Sequence, residues 1–329
     1  MGGPGARVVT GAPAPGRIPA VVAGLCDDAA IFPPGLAPLP AAVRAHDAAA
    51  REWYAPLVGP LVIGAAAVPS LPPLVAGRAE PLPVSVTFPA GPGMVAEVLA
   101  ALAGMPVAVR AIEVAVPDTA TVTDFLAALA TAVSAEDRRD TAGTPPDDIE
   151  AGDRPTPAAT RPARGVDVYV EIPRDERGPQ LLAALPPGYR AKFRTGGVRA
   201  DLYPDEVELG RSVAAAVAAG VPFKATAGLH HAVRNTDPAT GFEQHGFLNL
   251  LLATDTLARG GSEADADALL AERDGATVAG LIVGLDAEVR WRFVSFGTCS
   301  ITDPVSELVE LGVLTAPAAT GPIVPGAPR

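Results

Sequence analysis

The sequence predicts a (β/α)8 barrel of the TIM type, in which eight parallel strands form a closed ring surrounded by helices. Short β-branched runs alternate with stretches rich in Ala and Leu, a pattern typical of parallel strands joined by crossover helices. There are eight such runs, and 329 residues exceed the roughly 250 that a barrel needs. An open doubly wound sheet would carry a glycine-rich phosphate fingerprint after its first strand, and this sequence lacks one there. The sequence therefore favours the closed barrel.

Each predicted strand is closed by Pro, Gly or a polar residue. In chain order, the runs that contain the strands span residues 21–34, 60–70, 82–91, 107–118, 166–174, 189–197, 221–231 and 289–300. The segments 93–104 and 205–220 predict two of the intervening helices, and the second opens with a Pro-Asp pair and ends at a glycine, as helices commonly do. The connection before the last strand, 232–288, is long and contains a further helical stretch at about 262–273.

Three segments are predicted to lie outside this pattern. Residues 1–16 and 316–329 are rich in Gly, Pro and Ala, which predicts disordered ends. Residues 137–164 combine charge, Pro and Thr with almost no large apolar side chains, so they cannot bury enough surface to offset the entropy of ordering. Because the strand–helix pattern resumes afterwards, this segment is interpreted as a mobile insertion between strands four and five of one barrel domain, 17–315.

The composition excludes several classes of function. A net charge of −12 argues against a general affinity for nucleic acid or anionic membranes. The apolar runs are too short for a membrane span, and the first residues lack the continuous apolar segment of a signal peptide. Cys26 and Cys299 lie too far apart to suggest a disulfide framework or metal spacing, which fits a reducing cytoplasm. The expected partner is a small molecule, and a homo-oligomer is compatible with the sequence.

Two lysines at predicted strand ends are the main functional candidates, since barrels place their active sites at the C-terminal ends of strands. Lys192 and Lys224 lie in the sixth and seventh predicted strands, where a buried ammonium group is costly without a partner. Two ammonium groups held close in a pocket lower each other's pKa, which leaves a neutral amine able to attack a carbonyl. The alternative is that both lysines lie at the rim and neutralise Glu113, Glu171 or Asp28.

An ordered set of motifs resembles the deoxyribose-phosphate aldolases, a family of barrels. That family carries a Schiff-base lysine in a Lys-x-x-Thr-Gly pattern on strand six, and residues 192–196 read KFRTG. It carries a second lysine shortly before a Gly-Gly pair on strand seven, and residues 224–228 read KATAG. Further similar motifs are FPAG at 88–91, AIEVAVP at 111–117, VYVEI at 168–172 and FGTCS at 296–300. The resemblance covers about residues 82–311 without the insertion.

The resemblance implies a class I aldolase-like lyase that cleaves or forms a carbon–carbon bond through a lysine Schiff base. By this resemblance Lys192 is the iminium-forming nucleophile, Lys224 the neighbour that lowers its pKa, and Glu113 the general acid/base acting through water. No metal or organic cofactor is expected, because the lysine supplies the electron sink. The chain departs from the family at Ala227, which replaces the first glycine of the pair, and at Arg194 beside the nucleophile.

The substrate is expected to be a small carbonyl compound that carries a phosphate or carboxylate. Backbone N–H groups of glycine turns and nearby cations suit such an anion. The residues predicted to bind the substrate are Arg194, Thr195, Gly196, Gly197, Thr226, Gly228, His230, Asp28, Glu171 and Ser300. Asp27 and Asp28 both follow the first predicted strand, and either could orient a lysine or cap the next segment.

Two alternative functions remain open at the level of sequence. The first is an isomerase or hydrolase on the same barrel that uses Glu113, Glu171 and His230. The second is a catalytically inactive barrel that binds a metabolite. A metal site built on His230 and His231 is disfavoured, because adjacent residues of a strand point to opposite faces.

Overall fold

The computed structural model describes residues 14–140 and 165–318. The strands are β1 (Cys26–Asp28), β2 (Val58–Gly64), β3 (Leu82–Phe88), β4 (Val107–Ala115), β5 (Asp167–Glu171), β6 (Tyr189–Arg194), β7 (Phe223–Thr226), β8 (Asn235–Thr236), β9 (Glu243–Gln244) and β10 (Phe293–Thr298). Eight of them form a closed parallel barrel in the order β1-β10-β7-β6-β5-β4-β3-β2, and β8 pairs with β9 as a separate antiparallel ladder. The predicted (β/α)8 barrel is confirmed.

Helices follow the barrel strands and form its outer layer. They are α1 (Leu39–Ala49), α2 (Pro72–Val75), α3 (Val95–Leu102), α4 (Val122–Asp140), α5 (Arg177–Ala184), α6 (Glu206–Ala218), α7 (Phe247–Ala258), α8 (Glu263–Ala271), α9 (Gly275–Val283) and α10 (Thr302–Glu310). The predicted punctuation of α6 is present: the Asp205 carboxylate accepts a hydrogen bond from the Glu208 backbone N–H, and Gly220 has φ +67° just beyond the helix. The extra helix expected before the last barrel strand is α8. No helix in the described ranges is long and apolar enough to cross a membrane.

The segment boundaries differ from the sequence prediction in two places. The first predicted run, 21–34, contains a strand of only three residues, because turns at Pro19–Leu25 and Ala29–Leu36 occupy the rest of it. Helix α4 continues to Asp140, so the start of the predicted insertion is helical. Residues 1–13, 141–164 and 319–329 lie outside the described residues, and disorder there stays a prediction. In the described part of the two ends, the Gly16 N–H donates to the Thr315 carbonyl at 2.8 Å.

Along the barrel strands β3 and β4, apolar and polar side chains alternate, so one face is apolar and the other is polar. Val84 and Val86 of β3 and Val114 of β4 are fully buried in the hydrophobic core. Ser85 and Glu113, which alternate with them, instead meet each other at 2.6 Å. Because successive side chains of a strand point to opposite faces, the apolar set packs against the helices and the polar set faces the inside of the barrel. Polar side chains of the barrel strands therefore meet in the interior of the barrel.

The turn after β7 contains a residue in an unfavourable backbone conformation. Ala227 has φ +62°, in the left-handed region that disfavours any residue with a Cβ. Ala227→Gly should raise the free energy of unfolding by about 0.5–1 kcal/mol, because relief of this strain exceeds the added entropy of the unfolded chain. Ala225→Gly, in the buried part of β7, is the matched control and should lower it by about 1–2 kcal/mol. Urea midpoints measure both, and equal losses in the two variants would contradict the assignment of strain.

Candidate active site

The two predicted lysines are direct neighbours on the inner face of the barrel. Strand register pairs Glu171 of β5 with Lys192 of β6, Lys192 with Lys224 of β7, and Lys224 with Ser295 of β10. Laterally paired residues of parallel strands point to the same side of a sheet. These four polar side chains therefore form one row across four strands, towards the C-terminal ends where barrel active sites lie.

A single buried carboxylate joins the two amines. Glu113 Oε2 lies 2.9 Å from Lys192 Nζ, and Glu113 Oε1 lies 2.6 Å from Lys224 Nζ. The Ser85 hydroxyl also donates to Oε1, at 2.6 Å. Glu113 is 2% exposed, so water does not screen these contacts effectively. The lysines thus meet through Glu113 rather than through an empty pocket.

Asp27 holds the deeper lysine from the other side. Its Oδ2 lies 2.5 Å from Lys224 Nζ and accepts a hydrogen bond from the Ser295 hydroxyl at 2.8 Å. The Tyr169 ring centroid lies 5.3 Å from the same ammonium nitrogen, a cation–π distance. Gly59 of β2 leaves the space for this carboxylate, since a Cβ there would lie 2.1 Å from Asp27 Oδ1.

The shallower lysine is held by Glu171 at the mouth of the barrel. Lys192 Nζ lies 3.1 Å from Glu171 Oε2, and the other oxygen of Glu171 lies 2.9 Å from Arg194 Nη2. Exposure rises along this path, from 1% for Lys224 to 5% for Lys192 and 36% for the Arg194 side chain. We call Asp27, Glu113, Glu171, Lys192 and Lys224 the lysine–carboxylate network. It reaches solvent at the end that holds Lys192 and Glu171.

Contacts within the network determine the protonation states of Glu113 and Lys224, its most deeply buried residues. Burial alone would raise the pKa of Glu113, but the adjacent Lys192 and Lys224 charges hold it well below the ordinary value. Burial alone would lower the pKa of Lys224, but the charges of Asp27 and Glu113 raise it instead. Two neighbouring ammonium groups would lower each other's pKa, but for Lys224 the adjacent carboxylates reverse that predicted effect. Glu113 is therefore an anion and Lys224 a cation at neutral pH.

Asp27 differs from Glu113 in its affinity for protons. Its complete burial raises the pKa of the carboxyl, and the contact with Lys224 offsets this only in part. A carboxyl with a raised pKa accepts a proton more readily than Glu113 does. Among the buried carboxylates beside Lys224, Asp27 is therefore the better proton acceptor.

Asp28 lies away from the network, although it was predicted to bind the substrate. Its carboxylate contacts His46 Nδ1 of α1 at 3.1 Å and accepts from the Ala30 N–H at 3.2 Å. Both side chains are buried, on the side of β1 opposite to Asp27. Alternation along β1 thus gives the interior position to Asp27, and Asp28 ties β1 to α1.

The predicted residues of strands β6 and β7 divide between the interior and the turns. Thr226 pairs in register with Arg194 and faces the mouth. Thr195 is fully buried, and its hydroxyl donates to the Ala227 carbonyl at 2.5 Å, so it joins the two strands. Gly196 and Gly228 approach closely: a Cβ on either would lie 2.7–2.8 Å from the Cα of the other. The glycines are required for backbone packing at this point.

The histidines have separate partners. His230 Nδ1 lies 3.4 Å from Cys299 Sγ, and His231 Nδ1 lies 2.5 Å from Glu307 of α10. His245 Nε2 lies 2.8 Å from the Pro204 carbonyl, and burial lowers the pKa of this histidine to about 4. The described residues include no group of three or more His, Cys, Asp or Glu side chains that could hold a metal ion.

Ser300, the last of the predicted binding residues, lies at the start of α10. Its hydroxyl accepts from the Asp303 backbone N–H at 3.3 Å and lies 3.1 Å from the Thr302 hydroxyl. Gly197 follows Gly196 in the turn after β6, packed against Leu202: a Cβ on Gly197 would lie 2.4 Å from a Leu202 methyl carbon. These contacts give both residues a local structural role.

Sequence reasoning did not assign Ser85, Ser295 or Tyr169 to the site, and it chose Asp28 rather than Asp27. The sequence does contain a pattern that indicates the two serines, because each lies between two large apolar residues of a predicted strand. Period-two alternation then assigns such a serine to the polar interior.

Comparison with known proteins finds no family model and no curated protein sequence that matches this chain. The geometry of the site therefore has to support any functional conclusion.

Removal of the shared carboxylate should destabilise the fold strongly. Glu113→Gln leaves two buried ammonium groups short of a counter-charge, so we expect the free energy of unfolding to fall by about 3–5 kcal/mol. Glu208→Gln breaks the exposed pair with Arg174 and is the matched control, with an expected loss of about 0–1 kcal/mol. Denaturant unfolding followed by circular dichroism measures both, and similar losses would contradict a structural role for the shared carboxylate.

The same carboxylate should make the free energy of unfolding depend on pH in the acid range. Burial would raise the pKa of Glu113, but the two lysines depress it below the ordinary value of 4.5. Its contribution is therefore complete above pH 4.5 and is lost as the pH falls through the folded-state value. Between pH 5 and the acid limit of the assay, the free energy of unfolding should fall more steeply for wild type than for Glu113→Gln. Parallel curves would show that Glu113 is not the group that titrates.

Proposed function

We propose that this protein is a class I aldolase-like lyase in which Lys192 forms a Schiff base with a small carbonyl substrate. One observation supports this above the others: two lysines bind the two oxygens of one buried carboxylate at the C-terminal end of a (β/α)8 barrel. Functional groups of such barrels lie at this end. The more exposed amine, Lys192, is the one that a substrate entering from the mouth meets first.

Charge conservation makes Schiff-base formation compatible with the network. A lysine ammonium and a carbonyl together yield a protonated imine and one water, so the positive charge at Lys192 is retained. Glu113 Oε2 and Glu171 Oε2, at 2.9 and 3.1 Å from Nζ, stabilise that charge before and after the step. Glu171 lies at the solvent end and transfers the proton that Lys192 releases when it attacks as a free amine.

The bond-breaking step needs an electron sink and a base. The protonated imine accepts the electron pair of the carbon–carbon bond, while the β-hydroxyl loses its proton and becomes the carbonyl of the leaving aldehyde. Asp27, whose burial raises its pKa, accepts that proton by way of Lys224. The enamine left on Lys192 then takes up a proton, and water hydrolyses the imine and regenerates the amine.

This assignment modifies the roles implied by the resemblance. Glu113, held anionic by three donors, serves to fix and balance the two ammonium groups more than to store a proton. Lys224 acts as a fixed cation and proton carrier, since its pKa is raised rather than lowered. The isomerase or hydrolase alternative would use Glu113, Glu171 and His230, but His230 packs against Cys299 in the loop region.

Reductive trapping tests the proposal on the wild-type protein. Borohydride added with a small aldehyde should leave a stable covalent adduct, and peptide mapping by mass spectrometry should locate it on Lys192. Lys192→Met, which keeps the length of the side chain but has no amine, should lose the adduct while circular dichroism remains that of wild type. An adduct on Lys224, or equal labelling of Lys192→Met, would show that the nucleophile is misassigned. Absence of an adduct with small aldehydes such as glyceraldehyde would rule out the Schiff-base proposal.

A further inference from the structure

The turns after β6 and β7, where the sequence suggested an anion site, are filled by a tyrosine of this chain. A Cβ added to Gly196 or Gly228 would lie 2.6 or 2.8 Å from Tyr203 Cε1, so the ring lies directly against both Cα atoms. Burial raises the pKa of the Tyr203 hydroxyl, and the nearby Gly197 backbone and Gln244 side chain offset part of that rise. The aromatic ring thus takes the position beside the glycine turns that an anion would need.

Tyr203 is held in this position from its other side as well. Its ring packs on Phe242, with the centroids 5.5 Å apart and the planes tilted by 55°. Phe242 lies directly before β9, and Gln244 of that strand is close enough to the hydroxyl to lower its pKa against the effect of burial. The β8–β9 ladder therefore fixes the tyrosine against the glycine turns.

Two arginines near these turns are already paired with carboxylates. Arg194 Nη2 lies 2.9 Å from Glu171. Arg234, which follows β7, lies 2.6 Å from Glu206 and 3.3 Å from Glu243. An incoming anion would have to displace these carboxylates, which costs the energy of charge-assisted hydrogen bonds.

The charge balance of the lysine–carboxylate network, together with Arg194, also disfavours an anionic substrate. Lys192, Lys224 and Arg194 face three carboxylates, Asp27, Glu113 and Glu171, within one chain of ion pairs. A phosphate group brings about −1.5 to −2 charge at neutral pH. Near the carboxylates Glu113 and Glu171, that charge would be repelled without a compensating cation.

We propose that the site takes an uncharged substrate, a hydroxyaldehyde or hydroxyketone that carries neither phosphate nor carboxylate. This inference rests on the proposed aldolase function and replaces the anionic substrate expected from the sequence. The polar groups of the mouth suit hydroxyls instead: the Thr226 hydroxyl and the partly exposed Arg194 face it, and both side chains can donate hydrogen bonds to neutral oxygens.

Trapping with two matched aldehydes tests this inference. Borohydride reduction with glyceraldehyde and with glyceraldehyde 3-phosphate compares substrates that differ only in the phosphate. Because like-charge contact costs several kcal/mol, the neutral aldehyde should modify Lys192 at a concentration lower by about tenfold or more. Equal or better trapping of the phosphate ester would overturn the uncharged-substrate inference and leave the aldolase proposal intact. Failure of both aldehydes to trap would overturn both.

A second measurement needs no catalysis. Millimolar inorganic phosphate should leave the thermal midpoint of the wild-type protein unchanged, because Tyr203 occupies the turns. Tyr203→Ala should open them and gain a phosphate-dependent rise in the midpoint. Tyr203→Phe keeps the ring and should behave as wild type. A phosphate-dependent rise in wild type, or none in Tyr203→Ala, would contradict the assignment of the tyrosine as the occupant.

Discussion

The fold and the candidate site both depend on one carboxylate that is shared by two ammonium groups. Glu113 lies between Lys192 and Lys224 at 2.9 and 2.6 Å, in a barrel interior where an unpaired charge is costly. Either lysine without it would be a buried cation short of an anion. The barrel therefore tolerates a charged interior only because cations and carboxylates alternate along it, from Asp27 to Glu171.

Solvent exposure increases along the network, from its deep end to the mouth of the barrel. Asp27 and Lys224 are 4% and 1% exposed, whereas Glu171 and Arg194 reach the mouth of the barrel. A group at the deep end exchanges protons with the reacting centre rather than with bulk water, while a group at the mouth exchanges with both. This difference in access, more than the identity of the residues, separates the role proposed for Asp27 from that of Glu171.

The fold was predictable because its signal is repetitive, and the site was predictable only where one residue type is unusual in its context. Eight β-branched runs establish the barrel even though β1 is three residues long. The two lysines stand out in apolar strands, and register makes them neighbours. To choose between Asp27 and Asp28, one must know which residues of β1 face the barrel interior. A strand of three residues is too short for the alternation of apolar and polar residues to show this.

The anionic character of the substrate was the feature least accessible from sequence. Glycines at 196, 197 and 228 predict close backbone approach equally well whether the neighbour is a phosphate or a side chain. The neighbour here is Tyr203, brought in by the loop before α6 and held by Phe242. The contact of Tyr203 with Gly228 joins two separate connections of the barrel, and such a contact leaves no local pattern in the sequence.

The short strand β1 has a consequence for how the molecule assembles. It pairs with β10 over Cys26–Asp28, across nearly the whole length of the chain, and the Lys224–Asp27 contact spans 197 positions. Contacts of such separation are the slowest to form, since the entropy of closing the loop comes before any gain. The deep half of the network is thus completed only when the ends of the barrel meet. The chemistry proposed at Lys192 would then require a closed barrel, and partly folded chains with most of their helices in place would be inactive.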